Sequence, residues 1–310
     1  MRDICFLPVC VGGFGGKVGM ATLRRNREDR LGVDNILPVA VDTNRGDIDV
    51  VRREMPAVHL SPKGLNAEYG DNELDTIQKF PLNFDRQRDQ YLHRFLERHA
   101  GILTTLAVDA GAGTRPLFGE LIFRVQRGVL IRFLSTHLSK ALATASKVQP
   151  IVIGSGGGGT SKPGILEVCK LLGSMEGLSQ TCSQGATRIL KPWVFFMPPI
   201  IQARLPRTDT MALRPLSNCY AFIRELDILS DEGLVQFVMR LMPQNGHGSS
   251  AENLDEAADL MADNLLSYVI GHAAAAGTWC DGFHQRANEP GVRGLSIRNA
   301  RPVTEAVSCS

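Results

Sequence analysis

Three glycine-rich segments, each placed directly after an apolar run, constrain this chain more than any other feature. They read Val11-Gly12-Gly13-Phe14-Gly15-Gly16-Lys17, Gly111-Ala112-Gly113-Thr114-Arg115 and Gly154-Ser155-Gly156-Gly157-Gly158-Gly159-Thr160-Ser161. Glycine lets backbone N–H groups approach an anion with no Cβ in the way, and a helix that follows adds the positive end of its dipole. One such loop is common. Three strand–glycine–helix transitions suggest several loops converging on one phosphate chain, which is the reading of a nucleotide-binding protein. Taken singly, Gly111–Gly113 is also a tight turn and Gly156–Gly159 also a flexible connector.

The 310 residues suffice for one large α/β domain, or for one domain and a smaller module. A formal net charge of +2 exerts no bulk pull on nucleic acid. Arg24, Arg25, Arg27 and Arg30 cluster, which reads as a solvated helix end ahead of a phosphate or partner site. Met1-Arg2-Asp3-Ile4-Cys5-Phe6 enters a strand at once, with too short an apolar run for a signal peptide. No apolar stretch reaches the roughly 18 residues of a membrane helix. The expected location is the cytoplasm, with no membrane span and no nucleic-acid partner. The seven cysteines include no Cys-x-x-Cys pair, and Cys169, Cys182, Cys219 and Cys280 lack histidines at metal-ligand spacing. Buried reduced thiols are therefore expected. His93, His99 and His137 lie in polar helical surroundings, and no His-x-x-x-His pair marks a catalytic histidine.

Along the chain, Ile4–Val11 reads as a strand, Lys17–Arg27 as a helix and Ile36–Val41 as a second strand ending at Asp42-Thr43-Asn44. That is the β-glycine-α-β opening of a doubly wound parallel sheet, with an acidic residue at the tip of the second strand. A short strand is expected near Val58–Leu60, a polar helix over Phe84–His99 and a strand over Ile102–Val108. One long helix should run from Arg115 or Pro116 to about Ala145, since its apolar residues repeat at helical spacing. Gln149–Ile153 reads as a strand, Ile165–Leu172 as a helix, Pro192–Met197 as a strand and Gln202–Pro215 as a loop that orders on binding. Asn218–Leu229 is helical, Leu234–Leu241 is strand-like, and Ser250–Ala276 is a long helix with Ser249 or Ser250 as its cap.

Known phosphate-loop designs do not fit the first segment. A Walker loop needs Gly-Lys followed by Ser or Thr, but Val18 follows Gly16-Lys17. The dinucleotide fingerprint Gly-x-Gly-x-x-Gly places its third glycine where Val18 stands. An NAD(P)-dependent oxidoreductase, with Asp42 on a ribose hydroxyl, accounts for the first loop and leaves the other two unexplained.

The ordered set of motifs resembles the tubulin/FtsZ superfamily, in particular its divergent bacterial tubulin-like members. Gly12-Gly13-Phe14-Gly15-Gly16-Lys17 is similar to the superfamily's first loop, and Val41-Asp42-Thr43-Asn44 to the strand end that follows. Gly111-Ala112-Gly113-Thr114-Arg115 looks like the loop that faces the terminal phosphate in FtsZ. Gly157-Gly158-Gly159-Thr160-Ser161-Lys162-Pro163, together with Gly156, looks like the signature Gly-Gly-Gly-Thr-Gly-(Ser/Thr)-Gly, with Ser-Lys-Pro in place of its second half. Ser217-Asn218-Cys219-Tyr220-Ala221 resembles the start of the helix after the sugar-proximal loop. Ser250–Ala276 would be the central helix, which in the superfamily carries a guanine contact.

The resemblance implies a tubulin/FtsZ-type GTP-binding domain: α/β, with a doubly wound, mainly parallel Rossmann-like sheet, a long central helix and a shortened C-terminal part. Residues 1–249 would form the nucleotide-binding domain, 250–276 the central helix and 277–310 a short tail. It implies GTP or GDP with Mg2+ as ligands, and self-assembly into a homo-oligomer or filament of cytoskeletal type. Hydrolysis in the superfamily uses acidic residues carried to a neighbouring subunit by a loop after the central helix. Asn253-Leu254-Asp255 reads first as helix-cap chemistry, and Asp281 is the acidic residue better placed to act in trans. A nucleotide-sensing scaffold that does not polymerise is the competing reading.

Overall fold

The computed structural model describes residues 2–28, 35–61, 112, 115–199, 201, 209–240 and 251–274. Its elements are β1 (Arg2–Val11), α1 (Gly12–Glu28), β2 (Val39–Asp42), α2 (Arg45–Val51), β3 (Ala57–His59), α3 (Pro116–Val125), α4 (Arg127–Thr144), β4 (Ala145–Ser155), α5 (Ser161–Ser174), α6 (Gln180–Gln184), β5 (Trp193–Met197), α7 (Asp209–Asp231), β6 (Phe237–Arg240) and α8 (Leu254–Ala274). The six described strands form one sheet in the order β3-β2-β1-β4-β5-β6. Every pairing is parallel. The chain steps outward from β1 to β3, then returns to the other side of β1 at β4. The strand order therefore reverses between β1 and β4, where doubly wound sheets open their ligand crevice.

Both faces of the sheet are buried, as a parallel sheet requires. Leu7, Val9 and Val11 of β1 join an apolar cluster with α3, α4, α5 and α7, through Phe118, Leu134, Ile165 and Phe222. Phe6 and Cys10 turn to the opposite cluster, with Phe14 and Val18 of α1 and Met261, Leu265 and Val269 of α8. Cys5, Cys10, Cys169, Cys182 and Cys219 are buried free thiols, as expected. Burial pushes the Cys10 thiol up to about 12.

Several boundaries differ from the sequence reading, each for a physical reason. The glycines 12–16 are themselves the first turn of α1, which begins five residues before Lys17. Regular pairing of β2 starts only at Val39, because Pro38 lacks an N–H; Ile36 makes an isolated bridge to Phe6. The single helix expected over 116–145 is two helices, α3 and α4, broken at Gln126. Both pack on the same apolar cluster, so the periodicity runs through the break. Residues 145–148 belong to β4, whose exposed Ser146 and Lys147 hide its first turn of pairing. Asp209–Pro215, expected as loop, is the start of α7, which accommodates Pro215 in its interior. Phe84–His99, Ile102–Val108 and the residues after 274 lie outside the described set.

Of the clustered arginines, Arg24, Arg25 and Arg27 reach solvent but are also paired, and Arg30 lies outside the described residues. Arg24 pairs with Asp259, and Arg25 pairs with Asp263 at 3.4 Å. Lys17 pairs with Asp255 at 2.5 Å, and Arg27 with Glu54 at 3.3 Å. Asp255, Asp259 and Asp263 recur every four residues, so they form one acidic row along α8 facing α1. Such exposed pairs contribute at most about 1 kcal/mol each, and they fix the docking register more than its strength. The start of α8 is a capping box. Asn253 Oδ1 accepts from the N–H groups of Asp255 and Glu256, and Glu256 reaches back to the N–H of Glu252. Asn253-Leu254-Asp255 is thus helix-cap chemistry, with Asn253 rather than Ser249 or Ser250 as the cap.

Two glycines test this packing. A Cβ on Gly15 would lie 2.7 Å from the Ile153 carbonyl oxygen and 3.0 Å from the Cys10 carbonyl carbon, both backbone atoms that cannot yield cheaply. Gly128 of α4 has only the tip of Arg132 within reach, at 3.8 Å. In urea denaturation, Gly15→Ala is expected to lose about 1–3 kcal/mol and Gly128→Ala to gain up to about 1 kcal/mol. Equal stabilities for the two variants would contradict the close approach of α1 to the sheet.

Candidate functional site

The carboxyl ends of β1, β2 and β4 bring the sequence motifs together. After Val11 the chain enters α1 through Gly12, whose φ of +76° is the left-handed conformation that glycine tolerates. After β4 the third segment leads into α5. The Ser161 hydroxyl donates to the Val11 carbonyl at 2.8 Å and ties the start of α5 to the end of β1. Thr160 occupies the N-cap position of α5 but gives it no side-chain hydrogen bond. Its hydroxyl pairs instead with that of Thr43 at 2.6 Å. The second segment arrives at the same place: the Ala112 N–H donates to Thr43 Oγ at 3.1 Å, and the Ala112 carbonyl accepts from the Arg115 N–H. All three segments therefore reach one edge of the sheet.

Asp42 dominates the electrostatics. It is 4% exposed, and its Oδ1 accepts from the N–H groups of Thr43 at 2.6 Å and Asn44 at 3.1 Å. Oδ2 is buried with no hydrogen-bond partner among the described residues. Burial pushes the Asp42 carboxyl up to about 7. The Asp47 charge adds to this, while the Asn44 and Thr43 N–H groups and the nearby Thr160 hydroxyl oppose it. Asp47 stands in the first turn of α2. A Cβ on Gly13 would lie 2.7 Å from Asp47 Oδ2 and 3.8 Å from Asp42 Oδ2, so both carboxylates turn toward the first turn of α1.

The remaining sequence-derived residues divide by what their side chains already do. Phe14 is packed in the core cluster, leaving its backbone alone at the edge. Lys17 is held by Asp255, and Lys162 by Glu225 of α7 at 2.7 Å, so neither ammonium is unpaired. Asn44 caps α2, accepting from Gly46 at 2.9 Å and Asp47 at 3.4 Å. Arg115 is exposed, with its guanidinium 5.7 Å from the Phe118 ring centre. Asn218 donates to the Gly157 carbonyl at 3.2 Å, which brings α7 to the third loop. Gly16, Gly156 and Gly157 are packing glycines: a Cβ would meet Val51, Cys219 or Pro199 within 3 Å. Gly158 is half-exposed, and a Cβ there would meet only Ser161, at 3.3 Å. Gly111, Gly113, Thr114 and Asp281 lie outside the described residues. Sequence reasoning missed Asp47, although the spacing Asn44-x-x-Asp47 at a helix start was a usable signal.

Sheet order and the strand-order reversal define a doubly wound α/β protein whose glycine segments converge on one edge of the sheet. No protein-family model matches the sequence, and no curated protein sequence matches it. Among solved structures, CetZ from Methanosaeta thermophila strain DSM 6194 has a TM-score of 0.55 at 13% identity, over 95% of this chain and 61% of that one. CetZ2 from Haloferax volcanii, a GTPγS-bound protofilament, has 0.49 at 15% identity, over 87% and 59%. An empty FtsZ dimer from M. jannaschii has 0.43 at 14% identity, over 88% and 55%. The chain has the fold of CetZ, and it spans about three fifths of the length of these proteins. Among the described residues no helix is long and apolar enough to cross a membrane.

The Asp42 environment carries a signed pH effect. Its carboxyl titrates near 7 when folded, against an ordinary 3.8, so the folded chain keeps a proton that the unfolded chain has lost. Well below pH 4 the group is neutral in both states. As pH rises from 4 to 7 stability falls by about 3 kcal/mol through this group, and well above 7 the loss is constant. Asp42→Asn removes the titration. The stability difference between variant and parent should therefore grow in the variant's favour from pH 4 to pH 7. A difference that stays flat across that range would refute it.

Proposed function

We propose that this chain binds a guanine nucleotide at the β1/β4 switch point and is a tubulin-like protein that assembles with itself. The observation that carries the reading is the meeting of two helix N-termini, α1 and α5, on one edge with Ala112, Thr43 and Asp42. The first-turn N–H groups of α1 at Gly12–Gly15, and the N–H groups of Gly158, Gly159, Thr160 and Ser161 before and within α5, are the phosphate donors. Gly111, Gly113, Thr114 and Arg115 complete the cradle, with Asn218 at the sugar side. Donors fixed by the backbone stabilise phosphate charge without reorganising. The preference for guanine rests on the likeness of fold to tubulin-type proteins. Residues 1–249 then serve as the nucleotide domain, 250–276 as the central helix and 277–310 as the tail.

Mg2+ fits this edge. Asp42 Oδ2 is a buried carboxylate oxygen with no hydrogen-bond partner among the described residues, and Asp47 supplies a second hard oxygen donor beside it. Asp42 and Asp47 would hold the ion, and a bound Mg2+ neutralises charge on the phosphates. Asp42 itself is oriented by the Thr43 and Asn44 N–H groups, which pin Oδ1 and leave Oδ2 to the site. The order β3-β2-β1-β4-β5-β6 is also that of dinucleotide-binding sheets, which keeps an NAD-dependent oxidoreductase as the second reading. Against it, Asp42 is buried and committed to backbone donors, where ribose recognition needs an accessible carboxylate.

Calorimetric titration with GTP, ATP and NAD separates these readings. GTP should bind at least about ten-fold more tightly than ATP, a difference of 1.4 kcal/mol. Gly158→Val should weaken GTP by a similar factor in a folded protein, because the side chain enters the space before α5. Preferred binding of NAD, or an unchanged GTP affinity in Gly158→Val, overturns the proposal. GTP turnover is expected to be weak and to need a second chain, with Asp281 supplied in trans to orient the attacking water. Specific activity should fall steeply as the protein is diluted. Brisk turnover that does not change on dilution would exclude a shared site, and binding without any turnover would favour the non-polymerising scaffold.

A further inference from the structure

Thr43 is fully buried, and each of its polar groups has a partner. Its N–H donates to Asp42 Oδ1 at 2.6 Å, and its carbonyl lies 3.1 Å from His59 Nε2 at the end of β3. Its Oγ accepts from the Ala112 N–H at 3.1 Å and pairs with Thr160 Oγ at 2.6 Å. A threonine hydroxyl has one proton and two lone pairs. With one lone pair taken by Ala112, the shared proton of the Thr43–Thr160 pair joins the second and third glycine segments through a single side chain. Thr160 stands at the N-cap of α5, where a threonine ordinarily bonds its own helix, a contact typically worth about 1 kcal/mol. That bond is absent, and the hydroxyl serves a contact between loops instead.

We infer that Thr43 is a positioning residue: it holds Asp42, Ala112 and the start of α5 in one arrangement before any ligand arrives. Its effect on affinity rests on the nucleotide reading above; the tie between loops does not. Preorganisation of this kind raises affinity because the loops need not be ordered at the moment of binding. A purely space-filling role for Thr43 would be satisfied equally by valine, which has the same shape without the hydroxyl.

The test uses the full chain with Thr43→Val, Thr43→Ser, Thr160→Val and the double valine variant. Thr43→Val should weaken GTP binding about ten-fold or more, since the Ala112 N–H and the Thr160 hydroxyl lose their partner. Thr43→Ser keeps the hydroxyl and should stay within about three-fold of the parent. The double variant should bind no more weakly than the weaker single one, because both substitutions cut the same bond. Without nucleotide, Thr43→Val should speed hydrogen exchange of the Ala112 amide about ten-fold, while exchange within α4 is unchanged. Parental affinity and protection in Thr43→Val, a serine variant as weak as the valine one, or losses that multiply in the double variant would each overturn the inference. Should Thr43→Val fail to fold, Thr160→Val breaks the same pair from its less buried side while leaving the Ala112 bond in place; it must still weaken GTP binding by about three-fold or more, and a parental affinity would overturn the inference. If the unmodified protein binds no GTP, the nucleotide reading falls and the Ala112 exchange alone decides the tie.

Discussion

Glycine at 12, 15, 154 and 164 removes the side chain where α1 and α5 run into the ends of β1 and β4. The geometry of the whole carboxyl edge follows from that approach. A Cβ on Gly154 would sit 2.8 Å from the Val11 carbonyl oxygen, and one on Gly12 or Gly164 would strike Ser161 or Phe123. With hydrogen in those places, α5 comes near enough for Ser161 to bond the last carbonyl of β1. Two helix starts then share one edge. Interiors packed to crystal-like density do not absorb an added methyl at a backbone contact without moving a whole element. The close approach of backbone to backbone therefore sets the site more firmly than any single polar contact within it.

A buried carboxylate beside such donors breaks the usual rule that charge stays in water. Asp42 carries two backbone hydrogen bonds on one oxygen and, among the described residues, none on the other, and burial lifts its pKa to about 7. A chain selected for stability alone would place asparagine or a fully bonded aspartate there. Local rules of this kind are broken chiefly at functional sites, and here the exception lies at the switch point that the sheet order marks independently.

The sheet was legible in the sequence because its strands are apolar runs punctuated by glycine, and β1, β4 and β5 lie where those runs lie. The signals that misled did so for identifiable reasons. The glycines of the first loop hid a helical turn, since glycine has low helix propensity, and Pro215 hid the start of α7. Periodicity carried through Gln126 because α3 and α4 share an apolar face. At the site, the main-chain motifs were readable while the side-chain assignments were not. Lys17 and Lys162 stand within the first and third loop motifs, yet each has an acidic partner on a helix distant in sequence, Asp255 and Glu225. Asp47 and the Thr43–Thr160 pair depend on contacts between loops, which no local pattern encodes.

The acidic row of α8 also has a consequence for how the chain is made. Lys17 and Asp255 are 238 positions apart, and the apolar side of α1 that carries Phe14 and Val18 is covered by residues from the same late helix. At a synthesis rate of about 5–20 residues per second, α1 leaves the ribosome roughly ten to fifty seconds before its covering helix exists. Over that interval one face of the first βα unit is bare hydrophobic surface beside a half-formed sheet. The nascent chain is most exposed to aggregation there, and α8 ends that exposure when it closes over α1.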